Sequence, residues 1–386
     1  MKRISILMLV RSGTRLLLLA LFLAMVPAAF AHATWYVDGV NGSDNNDCKS
    51  PQTACKTIGH AISLASKRDS IMVAAATYTE NLAIGFSLNV IGSGAMTTII
   101  DGGRNGTVVK ISSANSHVTL SNVTIQNGQG GFGIGGGINN SGTLTISSGT
   151  VSDNGGGINN SGTLTISSST VSGNAARGIG GISNNGGTLT INKSTISGNS
   201  AGGPPRGVSD GGGIYNYRGT VTINNSTLSG NFASGSGGGI ANDGTLTISN
   251  STLSGNGAMY YGGGINNEGG TATLQNSIVA NNSGGSCAGT ITSDGYNLSS
   301  DETCNFNNTG DLNNTKPLLG RLKNNGGPTK THALLQGSPA IDAGNPNGCT
   351  DGNGHLLKTD QRGYPRPDKE DHGIGCDMGA FERQSD

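Results

Sequence analysis

One twenty-residue phrase, written twice without a break, constrains this chain more than any other feature. Residues 135–154 read GGGINNSGTLTISSGTVSDN, and residues 155–174 read GGGINNSGTLTISSSTVSGN. Ile138 returns as Ile158, Leu144 as Leu164, Ile146 as Ile166 and Val151 as Val171. So short a phrase cannot enclose a core of its own, so each copy must bury its apolar side against the next. Thr143-Leu144-Thr145-Ile146 alternates polar and apolar, the period of a strand with one buried face. Thr150-Val151-Ser152 alternates in the same way, and the Ile after the glycines supplies another short strand. Three short strands and three corners per phrase predict one rung of a parallel β-helix.

Looser copies follow. The Ile after the glycines recurs at Ile182, Ile214, Ile240 and Ile265, and the T-x-T-x strand at 188–191, 220–223, 245–248 and 271–274. The third strand recurs around Ile196, Leu228, Leu253 and Val279. Extra residues enter at one phase of the repeat, at 175–180, 200–210, 232–237 and 257–261, so they should emerge as loops on one side. Two asparagine columns accompany the repeats. Asn140, Asn160, Asn184, Asn216, Asn242 and Asn267 follow the Ile by two residues. Asn154, Asn174, Asn199, Asn231, Asn256 and Asn281 close the third strand, with Asn127 one rung earlier. Amides stacked in register bond along the column, and that structural role is the reading taken here.

The chain starts with a different kind of segment. Residues 1–33 carry Lys2, Arg3, Arg11 and Arg15, an apolar run at 16–26, and small-x-small cleavage sites at 29–31 and 31–33. This is the pattern of a signal peptide, and no second long apolar run predicts a membrane anchor in the mature chain. The segment holds four of the 23 basic residues and none of the 23 acidic ones, so the mature chain has a formal charge of −4. That argues against nucleic acid as a partner. Residues 34–69 predict a first strand at Trp35-Tyr36-Val37, a polar loop, and a helix over 56–67 with Ile58, Ala61, Ile62 and Ala65 on one face. Such a helix would cover the open first rung. Rungs then run over 70–304, roughly ten of them, a column about 50 Å long. Residues 305–386 lack the phrase and are expected to form a cap folded back on the last rung.

Six cysteines in an exported chain predict disulfides, and fifteen connectivities are open to them. A solenoid keeps sequence neighbours close, which favours Cys48–Cys55, Cys287–Cys304 and Cys349–Cys376. No His stands at ligand spacing to any Cys pair, so a zinc site is the poorer reading.

The stretch YVDGVNGSDNNDC, with ACKTIGHAIS and DSIMVAAATYTENLAI after it, resembles the start of secreted bacterial right-handed β-helix proteins of the pectin-lyase fold. The tail is similar to the choice-of-anchor Q domain that closes many of them. It carries Asn325-Gly326-Gly327-Pro328-Thr329, His332-Ala333-Leu334, Gly337-Ser338-Pro339-Ala340-Ile341-Asp342-Ala343-Gly344, Asp360-Gln361-Arg362-Gly363 and Cys376-Asp377-Met378-Gly379-Ala380-Phe381-Glu382. The resemblance implies a right-handed helix and an extracellular or cell-surface setting. It implies no activity, because the group has no general catalytic signature to carry over. Such tails are often followed by a sorting or anchoring segment, which is not expected from the sequence up to Asp386.

Candidate chemistry is sparse. The motif set of the galacturonan hydrolases is not present as a set, and the rungs are poor in acids and bases for a chain with 12% charged residues. Asp243 and Glu268 both lie three residues past their Ile, so they should share a column on adjacent rungs. Two carboxyls about 5 Å apart would suit a retaining glycosidase or a calcium site; two acids on a solvated turn are the plainer explanation. Tyr217 holds the same position one rung earlier, with Tyr215 and Arg218 beside it, and the loops bring Arg206, Tyr260 and Tyr261. Aromatics beside a polar groove suit a sugar ligand. The outward T-x-T ranks also resemble the ice-binding face of some β-solenoids, although Thr suits any exposed strand. The string Asp351-Gly352-Asn353-Gly354, with Asp360 and Asp377, offers a calcium loop or, more simply, a tight turn.

The sequence thus predicts an all-β, right-handed parallel β-helix with an N-terminal capping helix and an irregular C-terminal cap. It is expected to be exported, monomeric and free of cofactors, binding polysaccharide or a cell-surface glycan or serving as a surface-structural element. The alternative function is a polysaccharide lyase or glycoside hydrolase at the insertion side, and ice binding through the Thr face is a remote third.

Overall fold

The computed structural model describes residues 32–131, 135–178, 180–202, 209–351, 354–368 and 375–384. The rungs stack as a right-handed parallel β-helix. The two copies of the phrase pair residue on residue. Ile138 faces Ile158, Leu144 faces Leu164, Ile146 faces Ile166 and Val151 faces Val171, all in parallel ladders. The same register continues through Ile182, Ile214, Ile240 and Ile265 to Cys287 on what we term the glycine face. On the threonine face it continues through Leu189, Val221, Leu246 and Ala272. The third face has ten strands, from Ala76–Thr79 to Leu298–Ser299. Ile214–Asn224 and Ile240–Ser249 run through the corner between the first two faces, with a register shift between Tyr217 and Thr220.

Alternation does what the pattern demands. Leu144, Leu164, Leu189, Ile166, Ile191 and Ile248 are fully buried, while the threonines between them point outward. Burying each such side chain stabilises the stack by about 1.5–3 kcal/mol. Thr145, Thr165, Thr190, Thr222, Thr247 and Thr273 form one straight outward column.

The asparagines form two ladders. Asn140, Asn160, Asn184, Asn216, Asn242 and Asn267 are joined amide to amide at 2.7–2.9 Å. Asn154, Asn174, Asn199, Asn231 and Asn256 do the same at 2.9 Å. That ladder ends on Asn282, not on Asn281. Asn127 is likewise outside it and donates to Asp101. Asn127 and Asn281 occupy the left-handed turn position filled by Gly173 and Gly198 in other rungs, one residue before the ladder. Asn shares glycine's tolerance for that conformation, so the letter alone could not separate turn from ladder.

The predicted helix is shorter than expected, Ile58–Leu64. Thr57 caps it, and the Glu80 carboxylate accepts the N–H groups of Ile58 and Gly59 at 2.9 and 2.7 Å, which fixes its start. Ile58, Ala61 and Ile62 face the first rung. Thr34–Val37 pairs in parallel with Ser70–Val73 and so continues the threonine face upward. The insertions are not merely loops. Ala175–Ala176, Ser200–Ala201, Phe232–Ala233 and Gly257–Ala258 form a fourth, short parallel ladder.

The three disulfides are Cys48–Cys55, Cys287–Cys304 and Cys349–Cys376, the local pairing expected. The C-terminal segment divides in two. Residues 301–315 close the last rung: Leu312 bridges to Leu298, and Phe306 is buried in the end of the core beside Cys287–Cys304. Beyond them the tail runs back along the outside of the third face. Thr195, Thr227 and Thr252 hydrogen bond to Lys330, Gln361 and Ala380 across it. These three threonines are 0–2% exposed, although the equivalent Thr150 and Thr170 are half-buried.

Candidate functional site

The glycine face carries a cleft that unites several of the residues singled out in the sequence. Two registers build it. The outward residue between the core Ile and the ladder Asn is Ser183, Tyr215, Ala241 and Asn266 on successive rungs. The residue after the ladder Asn is Asn185, Tyr217 and Asp243, followed one rung on by Glu268. Tyr215 therefore stands on a rigid strand above a small Ala241, and the space left over that alanine forms an open cleft. Its lining is Asp210, Tyr215, Ala241, Asn242, Asp243, Asn266, Glu268 and Gly269.

Tyr215 and Tyr217 share one face of the same strand, with ring centroids 6.3 Å apart and planes within 19°. The Arg218 guanidinium lies 4.8 Å from the Tyr217 ring centroid, a cation–π contact at the corner. Burial raises the Tyr215 phenol above its ordinary range, and the carboxylates of Asp210 and Asp243, then Tyr217 and Glu268, add to that. Tyr215 is thus a neutral hydroxyl near neutral pH, able both to donate and to accept. Asp210 is held at the mouth by accepting the Ser236 N–H at 2.6 Å. Asp243 lies tight over the next rung, where a Cβ added at Gly269 would sit 2.8 Å from its Oδ1.

The structure thus brings together Tyr215, Asp243 and Glu268, with Tyr217 and Arg218 on the adjoining corner. It does not bring in Tyr260 or Tyr261, which stay on the insertion loop, 55% and 65% exposed and outside the cleft lining. Arg206 lies outside the described residues. Sequence reasoning missed Asp210, Ala241 and Asn266 as lining residues. The column between Ile and Asn was the signal, because its outward residue changes from large to small between Tyr215 and Ala241.

Metal chemistry finds little support in the geometry. Among the described residues, one group of three ligand-type side chains lies within 4.8 Å, Cys48, Cys55 and His60, and its two cysteines are bonded to each other. The acids grouped in the tail by sequence take partners other than one another. Asp351 meets His355 at 3.2 Å, Asp360 pairs with Arg362 at 2.8 Å, and Asp377 accepts the N–H groups of Asp342 and Arg383.

No protein-family model matches the sequence, and no curated protein matches it. Among solved structures the chain is similar to pectate lyase Pel9A, with a TM-score of 0.53 and 14% identity over 92% of this chain and 98% of that one. This likeness is one of fold. A GH136 lacto-N-biosidase from Eubacterium ramulus aligns with a TM-score of 0.39 and 11% identity, over 69% of this chain and 64% of that one. Pectin methylesterase PemA from Erwinia chrysanthemi aligns at 0.36 and 14%, over 66% and 81%.

Proposed function

We propose that this chain is an exported β-helix protein that binds carbohydrate without cleaving it, and that the cleft beside Tyr215 receives the glycan. The observation that carries this reading is the near-parallel Tyr215–Tyr217 pair on a rigid strand, next to a cleft lined by amides and carboxylates. A sugar offers C–H faces to phenol rings and hydroxyls to fixed acceptors, and this arrangement has both. Among the described residues the lining is acidic and amide-rich, with Asp210, Asp243, Glu268, Asn242 and Asn266. Three carboxylates disfavour a uronate chain, and neutral or amino sugars fit better. Export agrees with three disulfides, which persist in oxidising compartments. The tail motifs support a choice-of-anchor Q type of domain and an extracellular or cell-surface setting. Among the described residues no helix is long and apolar enough to cross a membrane.

The runner-up is a glycoside hydrolase using Asp243 and Glu268, which the register puts on adjacent rungs. One mutant set separates the readings. A glycan array with the mature protein identifies a ligand, and Asp243→Asn and Glu268→Gln are then compared by calorimetry and reducing-sugar release. Binding without turnover in the parent supports the proposal. Turnover that both substitutions abolish, with binding nearly intact, would replace it with the hydrolase. If no cleft substitution alters binding, the Thr-x-Thr face is the next surface to test, with ice among its candidate ligands.

A further inference from the structure

The tail that runs along the third face is held by a buried ionic cluster. Arg366, Asp377 and Glu382 are 2%, 2% and 0% exposed. Arg366 donates from Nε to Glu382 Oε2 at 2.8 Å, from Nη2 to Gly379 O at 2.8 Å, and from Nη1 to Asn225 Oδ1 of the solenoid at 2.9 Å. Around the cluster the tail backbone docks on the rungs, with Gly379 N–H on Asn276 O at 2.9 Å and Ala380 N–H on Thr252 Oγ1 at 3.1 Å. The cluster and the docking contacts are therefore one unit.

Its charges do not balance without a proton. Two carboxylates face one guanidinium. Both oxygens of Asp377 accept backbone N–H groups, from Asp342 and Arg383, as an ionised carboxylate does. Glu382 is different. Oε2 accepts from Arg366 Nε and from Asp377 N–H, but Oε1 is buried with no hydrogen-bond partner. A charged oxygen in that position is costly, and a protonated carboxyl costs much less. Among the described residues, other charged groups nearby are Asp342, which faces Asp377, Arg383, whose N–H donates to Asp377, and the Asp360–Arg362 pair, which accepts the Glu382 N–H and donates to its carbonyl. From the solenoid the contacts of this unit come from Asn225, Thr252 and Asn276, none of which titrates.

We propose that the tail is a pH-sensitive clasp, whose grip on the third face requires one proton held on Glu382 and loosens as that proton is lost. Burial pushes the Glu382 carboxyl up to about 8, with Asp377 adding to the rise and Arg366 opposing it. A carboxyl raised in the docked state has its ordinary value once released. Opening therefore gives up a proton between the released value, about 4.3, and about 8. The clasp weakens by about tenfold per pH unit across that window and levels off above it. Burial also raises Asp377, to about 6, which adds slope at lower pH. His332 contacts Ser229 at 2.9 Å and is kept neutral by burial, which gives the opposite slope below about 6.5. Among the described groups of the clasp with a resolved shift, Glu382 is the one whose window spans pH 6.5 to 8.

Hydrogen exchange by mass spectrometry on the full chain tests this, after correction for intrinsic exchange rates. Peptides covering 376–384 and the covered strands Thr227–Ser229 and Thr252–Ser254 should lose protection about 15-fold from pH 6.5 to 8. In Glu382→Gln, which cannot lose a proton, the loss should shrink to under threefold; in Asp377→Asn, which removes a smaller contribution than burial to the rise of Glu382, it should shrink in part. Gly379→Ala is the structural control. An added Cβ there would sit 2.7 Å from Thr252 Oγ1, so it should lower protection at every pH and leave the slope intact. Flat protection in the parent, or an unchanged slope in both neutral variants, overturns the proposal.

Discussion

The inner asparagine ladder makes a quantitative prediction about what holds the rungs together, and Asn199→Ala tests it. Asn199 is 1% exposed and bonds in both directions. Its Oδ1 accepts the Asn174 N–H at 3.1 Å and the Asn174 Nδ2 at 2.9 Å. Its Nδ2 donates to Val171 O at 3.0 Å and to Asn231 Oδ1 at 2.9 Å. After truncation Asn174 Nδ2 keeps Val151 O, and Asn231 Oδ1 keeps the Asn199 N–H. One group loses its partner outright, the buried Asn174 N–H, because the Val171 carbonyl also lies in the ladder with Thr195–Ser197. At about 1–3 kcal/mol for an orphaned buried group, the substitution should cost about 1–3 kcal/mol. Asn185→Ala, an exposed position on a neighbouring strand, should cost less than about 0.5 kcal/mol. Urea unfolding followed by circular dichroism reads both. An Asn199→Ala midpoint indistinguishable from the Asn185→Ala midpoint would refute the claim that the ladder couples the rungs.

Other outcomes follow from the same architecture. Deleting residues 155–174, one whole rung, should leave a cooperatively unfolding, shorter protein, because Ile138 and Leu144 then meet Ile182 and Leu189 as equivalent partners; aggregation or non-cooperative melting would contradict the stacking. Thr227→Val should cost about 1–3 kcal/mol by removing the partner of Gln361 Oε1 at 2.6 Å, whereas Thr170→Val, the same letter where the tail is absent, should be near neutral in the same unfolding assay. Replacing Cys287 and Cys304 together by Ala should lower stability by about 2–4 kcal/mol and speed hydrogen exchange around Phe306, the plug at the end of the core.

Much of the fold was legible because each rung repeats the same physical instructions. Leu144 and Ile146 could be assigned inward from alternation alone, and their partners from the exact copy twenty residues on. Reading weakened where one letter serves two roles. Asn281 and Asn282 stand side by side, and only backbone geometry tells the left-handed turn from the ladder. The fourth ladder was hidden because two-residue strands such as Ser200–Ala201 carry no period. The route of the tail was hidden for another reason. Thr195 and Thr227 look like exposed strand threonines, and their burial depends on Lys330 and Gln361, more than a hundred residues away. The cleft was half legible. Asp243 and Glu268 could be put in one column, but Asp210 and the gap over Ala241 needed the register of neighbouring rungs.

Calorimetric titration of the strongest glycan-array ligand into the parent and into Tyr215→Ala tests the central claim most directly. Removing the phenol takes away stacking surface and one hydroxyl without touching the core, so affinity should fall about tenfold or more while the unfolding midpoint stays within about 0.5 kcal/mol of the parent. Unchanged affinity in a folded Tyr215→Ala protein would contradict carbohydrate binding at this cleft.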